Sequence, residues 1–223
     1  MTPGLLLLAD GRFPAGAHAY SAGAESAVRA GDITDLDTMH RYLRGRLATS
    51  GVTDAAVAAN AAGIAVGSGG SFDELDAEYE ARVLSPRLCA TSRRLGRQLC
   101  RVATASWGHP VLQQVAMTSG GPHQPVALGV AVVAAGGAAH DAAAISIHHL
   151  ANAVVTAAVR LLGLDPIGCA ALQAEVSGWS ATLIADADTW AVTAPPALPG
   201  AGGTLTEILA EHHATWDHRL FVA

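Results

Sequence analysis

Ten histidines and three cysteines are the residues of this sequence best equipped for chemistry, and their spacing decides which chemistry is open to them. A helical metal chelate needs ligands on one face, as histidines at i and i+4 provide. No two histidines are four apart; His148 and His149 are neighbours, and His212, His213 and His218 share no helical face. Adjacent residues on a helix point about 100° apart, so the first pair cannot close on one ion. Cys89, Cys100 and Cys169 match neither a zinc pattern nor a disulfide framework, which fits reduced thiols in a cytoplasmic protein. For nucleophilic catalysis, G-x-S-x-G is absent and no serine or cysteine stands beside an oriented histidine. Spacing along the chain therefore singles out no catalytic group and no metal site.

Three further patterns carry polar chemistry. His149, Asn152, Thr156 and Arg160 follow one another along a single face of an otherwise apolar segment. Such a line is either a buried network that fixes helix register or a polar groove for a partner or ion. Arg87, Arg94, Arg97 and Arg101 form a basic face that is either solvated or anion-binding. The stretch "RFPAGAHAYSAGAESA", residues 12–27, has Gly16 and Gly23 seven apart, so it is not a G-x-G-x-x-G phosphate loop. Its His18 and Tyr20 are polar-tipped rings at a helix entrance, ordinary core if buried and a grip for a partner if exposed.

The elements that position these residues are legible from composition. Hydrophobic residues make up 51% of the 223 and aromatics 4%, so the core must be built mostly of Ala, Leu and Val. Alanine has the best helix propensity and permits close helix contact. The expectation is an all-α fold, a single helical domain of about eight to ten Ala-rich helices. Net charge is −6 and all 13 basic residues are arginine. A mildly acidic chain lacks the footprint of a nucleic-acid binder. Without lysine there is neither a P-loop nor Schiff-base chemistry on a lysine. The leucine run at 5–8 has no basic residue before it, and "PVALGVAVVAAGGAA" is short for a span, so no signal peptide and no membrane helix are expected.

Punctuation along the chain predicts the boundaries. Ser21 reads as the cap of a short helix ending near Gly31, and Thr34 with Asp37 as the next start. Ser71 with Glu74, and Thr204 with Glu207, have capping-box spacing. Pro86 marks a break before a stripe of small residues, Ser85, Cys89, Ser92, Gly96 and Cys100, suited to close helix contact. A helix over about 125–135 is followed by a long one over about 139–163 ending at Gly163, with Asp165 and Pro166 as cap and first residue of another. The domain expected is 1–194 with an N-terminal docking loop, then a Pro/Gly linker at 195–203. The C-terminal helix and tail, 204–223, are either part of the same domain or ordered by a partner. Leu205, Ile208, Leu209, His212 and Trp216 share one face of that last helix.

With these residues in view, the sequence resembles the UreF family of urease accessory proteins. Pro14, Gly16, Tyr20, Ser21, Gly23 and Glu25 match its N-terminal signature, and Arg87, Ser92 and Gly96 its middle motif. His123, Pro125, Val126 and Gly129 follow, then Arg160 in "AAVRLLGLDP" and His213, Arg219, Leu220 and Phe221 at the end. The matches run in order over nearly the whole chain. The resemblance implies a cytoplasmic all-α protein, a homodimer within a larger complex, with no catalysis of its own and no tightly bound cofactor. Its implied partners are UreD (also called UreH), the GTPase UreG and the urease apoprotein, with nickel in transit during maturation of that enzyme. Carried over position by position, His18, Tyr20, Glu25, Arg219, Leu220 and Phe221 become partner-binding residues. The family usually has Phe or Tyr at His18, Leu at Ala24 and Glu at Ala214. From the residues alone, two other classes stay open: a helical metal-dependent hydrolase using the histidines, and a helical small-ligand-binding domain with a pocket along His149 to Arg160.

Overall fold

In a computed structural model, residues 2–16, 20–213, 216, 220 and 221 are described. Their helices are α1 (Pro3–Ala9), α2 (Ala24–Ala30), α3 (Leu36–Arg46), α4 (Val52–Ala65), α5 (Phe72–Glu80) and α6 (Pro86–Trp107). They continue as α7 (Pro110–Ala116), α8 (Gln124–Ala134), α9 (Ala139–Leu162), α10 (Pro166–Leu183), α11 (Ala187–Trp190) and α12 (Thr204–His213). The all-α class holds, and no strand occurs among the described residues. The division into twelve α-helices is finer than the pattern predicts because α1, α7 and α11 are only seven, seven and four residues long.

At the centre α4 and α9 cross, with α8 laid against α4 and α6 against α8. Small side chains make this possible. A Cβ on Gly129 of α8 would stand 2.1 Å from the Ala58 carbonyl oxygen of α4, and one on Gly96 of α6 would stand 2.0 Å from the Pro122 carbonyl oxygen. Only glycine admits such approach. The small-residue stripe of α6 is thus a packing seam: Cys89 and Cys100 are buried, and the Ser92 hydroxyl accepts the Gln124 N–H at 3.0 Å. Arg87, Arg94, Arg97 and Arg101 lie exposed on the opposite side. α9 is the one described helix long and apolar enough to cross a membrane, and 61% of its most apolar window is buried inside the fold.

The caps show where local reading succeeds. Asp165 accepts the N–H groups of Ile167 and Gly168, with Pro166 as first helical residue and Gly163 in the left-handed conformation closing α9. The start of α3 is one residue later than its pattern predicts: Asp35 is the cap, accepting Thr38 N–H at 2.9 Å, while Thr38 Oγ1 accepts Asp35 N–H at 3.0 Å. α2 begins at Ala24, capped by Gly23 at φ 83° rather than by Ser21. Between α3 and α4 the chain does not stop but passes through a π-helical turn, Leu47–Gly51, with Thr49 off helical geometry at φ −110°, ψ −105°. Wide turns of this kind re-aim side chains, and here they turn Arg46, Ser50 and Asp54 toward one cavity.

Candidate functional site

The two ends of the chain meet on Glu25. This side chain, 8% exposed, projects from the first turn of α2. Its Oε1 accepts the Leu220 N–H at 2.8 Å and its Oε2 the Phe221 N–H at 3.1 Å. Oε2 also lies 2.8 Å from His213 Nε2, at the end of α12. A carboxylate only accepts, so the proton of that imidazole sits on Nε2. His213 is buried and tilts against Trp216 at 4.7 Å, while Arg29 of α2 stacks over the same indole at 4.1 Å. Three hydrogen bonds to one buried carboxylate make this junction specific as well as strong.

Local sequence explains why Glu25 can reach. Ser21, Ala22, Ala24 and Ser26 are all at most 2% exposed. A Cβ at Gly23 would lie 2.7 Å from both Thr206 Cγ2 of α12 and the Tyr42 hydroxyl of α3. The small residues of the N-terminal signature let α2 slide under α12; they hold no phosphate.

α12 is secured by its polar side. Glu207 accepts the Leu84 N–H at 2.7 Å, so it does not close the expected capping box with Thr204. Glu211 accepts the Ser85 hydroxyl at 2.5 Å and the Arg87 N–H at 3.1 Å, placing negative charge at the N-terminus of α6. These bonds hold the Glu211 carboxyl below its usual range, the serine hydroxyl first among the causes. Thr206, Glu207, Ala210 and His213 are consequently buried, and Leu205 and Ile208 are turned outward at 64% and 52% exposure. Leu84 and Leu220 are exposed too. The segment before α12 lies on the body: Arg82 donates to the carbonyls of Pro195, Pro196 and Leu198, and Thr53 exchanges hydrogen bonds with Ala201.

The polar line of α9 borders a groove of about 240 Å³ between α9, the end of α1 and the loop after it. Its members differ in surroundings. His149 Nε2 donates to the Leu8 carbonyl at 3.0 Å, and burial pulls this imidazole down to about 4, so it is neutral at ordinary pH. Asn152 is half-buried beside Gly11, and Thr156 and Arg160 are exposed. Arg160 lies 4.8 Å over the Phe221 ring, which closes the groove at the tail. Tyr20 and His149 also border a second cavity, on the far side toward α3 and α4.

Of the partner-binding residues expected from the sequence, then, Glu25 and Phe221 face inward and hold the tail, Tyr20 lines both cavities, and Leu220 is exposed. His18 and Arg219 lie outside the described residues. Arg46, Ser50 and Asp54 were not singled out by the sequence reading. Their spacing of four is a one-face signal, masked because Thr49–Ser50–Gly51 reads as a break. Among the described residues no group of three or more His, Cys, Asp or Glu stands close enough to hold a metal ion.

Comparison with known proteins gives consistent matches. Residues 33–177 match the family model described as UreF. The chain is 36% identical over 224 residues to the urease accessory protein UreF of Mycolicibacterium vanbaalenii, covering 98% of this chain and 97% of that one. It is 35% identical over 220 residues to the protein of the same name from Mycobacterium marinum, and 33% identical over 220 residues to that from Mycobacterium tuberculosis, with the same coverage.

Proposed function

The chain belongs to the UreF family of urease accessory proteins, and from that premise we propose that it is a non-catalytic scaffold in urease maturation. In this reading it binds a UreD/UreH-type partner, recruits and modulates the GTPase UreG, and supports nickel insertion into the urease apoprotein from the cytoplasm. The observation that carries the reading is the junction on Glu25, which gathers the N-terminal signature, α12 and the tail into one surface.

The surface divides by chemistry. Leu205 and Ile208 on α12, and Leu84 and Leu220 on segments bonded near it, are exposed apolar side chains. Apolar contacts supply most of the free energy of a stable interface, and these side chains suit the lasting partner, UreD/UreH. His18 and Arg219, with Tyr20 close by in sequence, form the polar, exchangeable contact for UreG. Glu25 anchors Leu220 and Phe221, the residues that follow Arg219 in sequence. Nickel is cargo of the assembly.

Light scattering behind size exclusion tests the scaffold reading, with this chain mixed with its UreD-type and UreG-type partners, GTP and magnesium. The expected result is one discrete complex containing two copies of each, with Arg219→Ala weakening GTPase recruitment while folding persists. Three separate peaks would contradict it.

A further inference from the structure

Charge on α6 has one sign. Five of the chain's arginines stand on this helix, and none of its acidic residues does. Two of the five are compensated from other elements. Arg93 pairs with Asp76 and Glu80, and the Glu211 carboxylate, which accepts the Arg87 N–H, acts on the Arg87 charge. Arg94, Arg97 and Arg101 are exposed and form no ion pair among the described residues. Arg97 donates to the Gly120 carbonyl at 2.7 Å, and Arg101 to the Gln98 side chain, which is itself held on the Pro14 carbonyl. Each thus spends one of several donors on a neutral acceptor. The three stand at spacings of three and four, where like charges destabilise a helix. The row costs the free chain stability that opposite charge laid along it would return.

Arg97 and Arg101 also border an open groove of about 280 Å³ against Ala116 and Pro122, and no carboxylate lines it. Beside the row stand Ala90 and Ala105, exposed and small, so a partner's backbone can come close. From Arg94 to Arg101 is about 10 Å along the helix, too far for one small anion to serve all three guanidinium groups. No large apolar side chain is exposed between residues 85 and 116, which leaves a lipid surface without an anchor. Residues 85–106 hold no aromatic ring for base stacking, and a net charge of −6 repels nucleic acid. Carboxylates on a protein segment fit best, since each guanidinium fork takes a carboxylate through two parallel hydrogen bonds.

We propose that this face of α6 docks an acidic segment of a partner protein, one carboxylate seated in the groove between Arg97 and Arg101 and another on Arg94. The inference rests on the charge row and its groove and does not depend on the scaffold reading. Exposed pairs of this kind steer an encounter and set its orientation more than they prolong it.

The test is fluorescence anisotropy of labelled hexaglutamate titrated with the full chain at low salt, with hexalysine and an oligothymidylate of equal charge as controls. The expected result is saturable binding of hexaglutamate and none of hexalysine, weakened about tenfold when sodium chloride is raised to about 200 mM. Arg94→Gln combined with Arg97→Gln and Arg101→Gln should lose the binding, while the unfolding midpoint holds or rises as like charges are removed. Should that variant not fold, Arg94→Glu alone decides, since this side chain makes no hydrogen bond or ion pair within the described fold; weakened hexaglutamate binding then supports the site. The proposal is overturned by absence of hexaglutamate binding, by equal binding of hexalysine, by tighter binding of the oligothymidylate, or by affinity unchanged in the folded variants. Salt-sensitive self-association of the chain that the variants abolish would also overturn it, by giving the face to a second copy.

Discussion

Helices α9 and α12 solve opposite problems. α9 buries Ile145, Ile147, Leu150, Val154 and Val155, so its place is fixed by close packing with α4 and its neighbours. α12 is turned the other way round: its glutamates and His213 face the body, and Leu205 and Ile208 face out. A helix held by hydrogen bonds to three carboxylates at separate points — Glu25, Glu207 and Glu211 — can keep its apolar face free. The first arrangement makes a domain, and the second makes a surface with unspent hydrophobic free energy, at about 25 cal/mol per Å² of apolar area later buried.

Breaking the packed region should give the largest effect. Gly129→Val places a side chain where even a Cβ would stand 2.1 Å from the Ala58 carbonyl. A loss of about 4 kcal/mol or more is expected, seen as lost cooperative unfolding by circular dichroism.

Acid should act next, and through the packed region. His149 is held down to about 4 by burial, against an ordinary value of 6.5. Its folded value is depressed, so the neutral imidazole's contribution is fully present above pH 6.5 and is lost as pH falls through 4. The contribution is on the order of 3 kcal/mol. Denaturant titrations between pH 7 and pH 4 should show stability falling, and His149→Gln should flatten that slope. An unchanged slope would mean that the imidazole is not buried as described. His123, also brought down to about 4 chiefly by burial, adds in the same sense.

Glu25→Ala should be milder in global stability and selective in place. It leaves the N–H groups of Leu220 and Phe221 without their acceptor, at about 2 kcal/mol for the tail's own opening. Limited proteolysis should cut near residues 204–221 while the main unfolding transition barely moves. A fall in the main transition equal to the local loss would make the tail part of the core. Smallest in stability is Leu205→Ser with Ile208→Ser, within about 0.5 kcal/mol of the parent, yet it should abolish binding to the UreD-type partner.

The same contrast explains what could be read in advance. α9, its Gly163 stop and the Asp165–Pro166 start are written in local chemistry, and the structure reproduces them. The orientation of α12 is not local. Its Glu207 has the spacing of a capping box with Thr204, but the donor it accepts from, the Leu84 N–H, lies 123 residues away. The role of Glu25 was visible only as a matched motif position, because its bonds span 188 to 196 residues. Arg46 and Asp54 were hidden by a π-helical turn that no residue pattern marks as continuous. The polar line of α9 was legible as a line, but its division into a half-buried His149 bonded to Leu8 and exposed Thr156 and Arg160 depends on α1 and the tail.

Amide hydrogen exchange of this chain, free and with the UreD-type partner proposed for it, tests the surface most directly. The account predicts added protection concentrated on α12 and around Leu84 and Leu220, with α4, α8 and α9 unchanged. Protection on another face, with α12 exchanging as in the free chain, would contradict it.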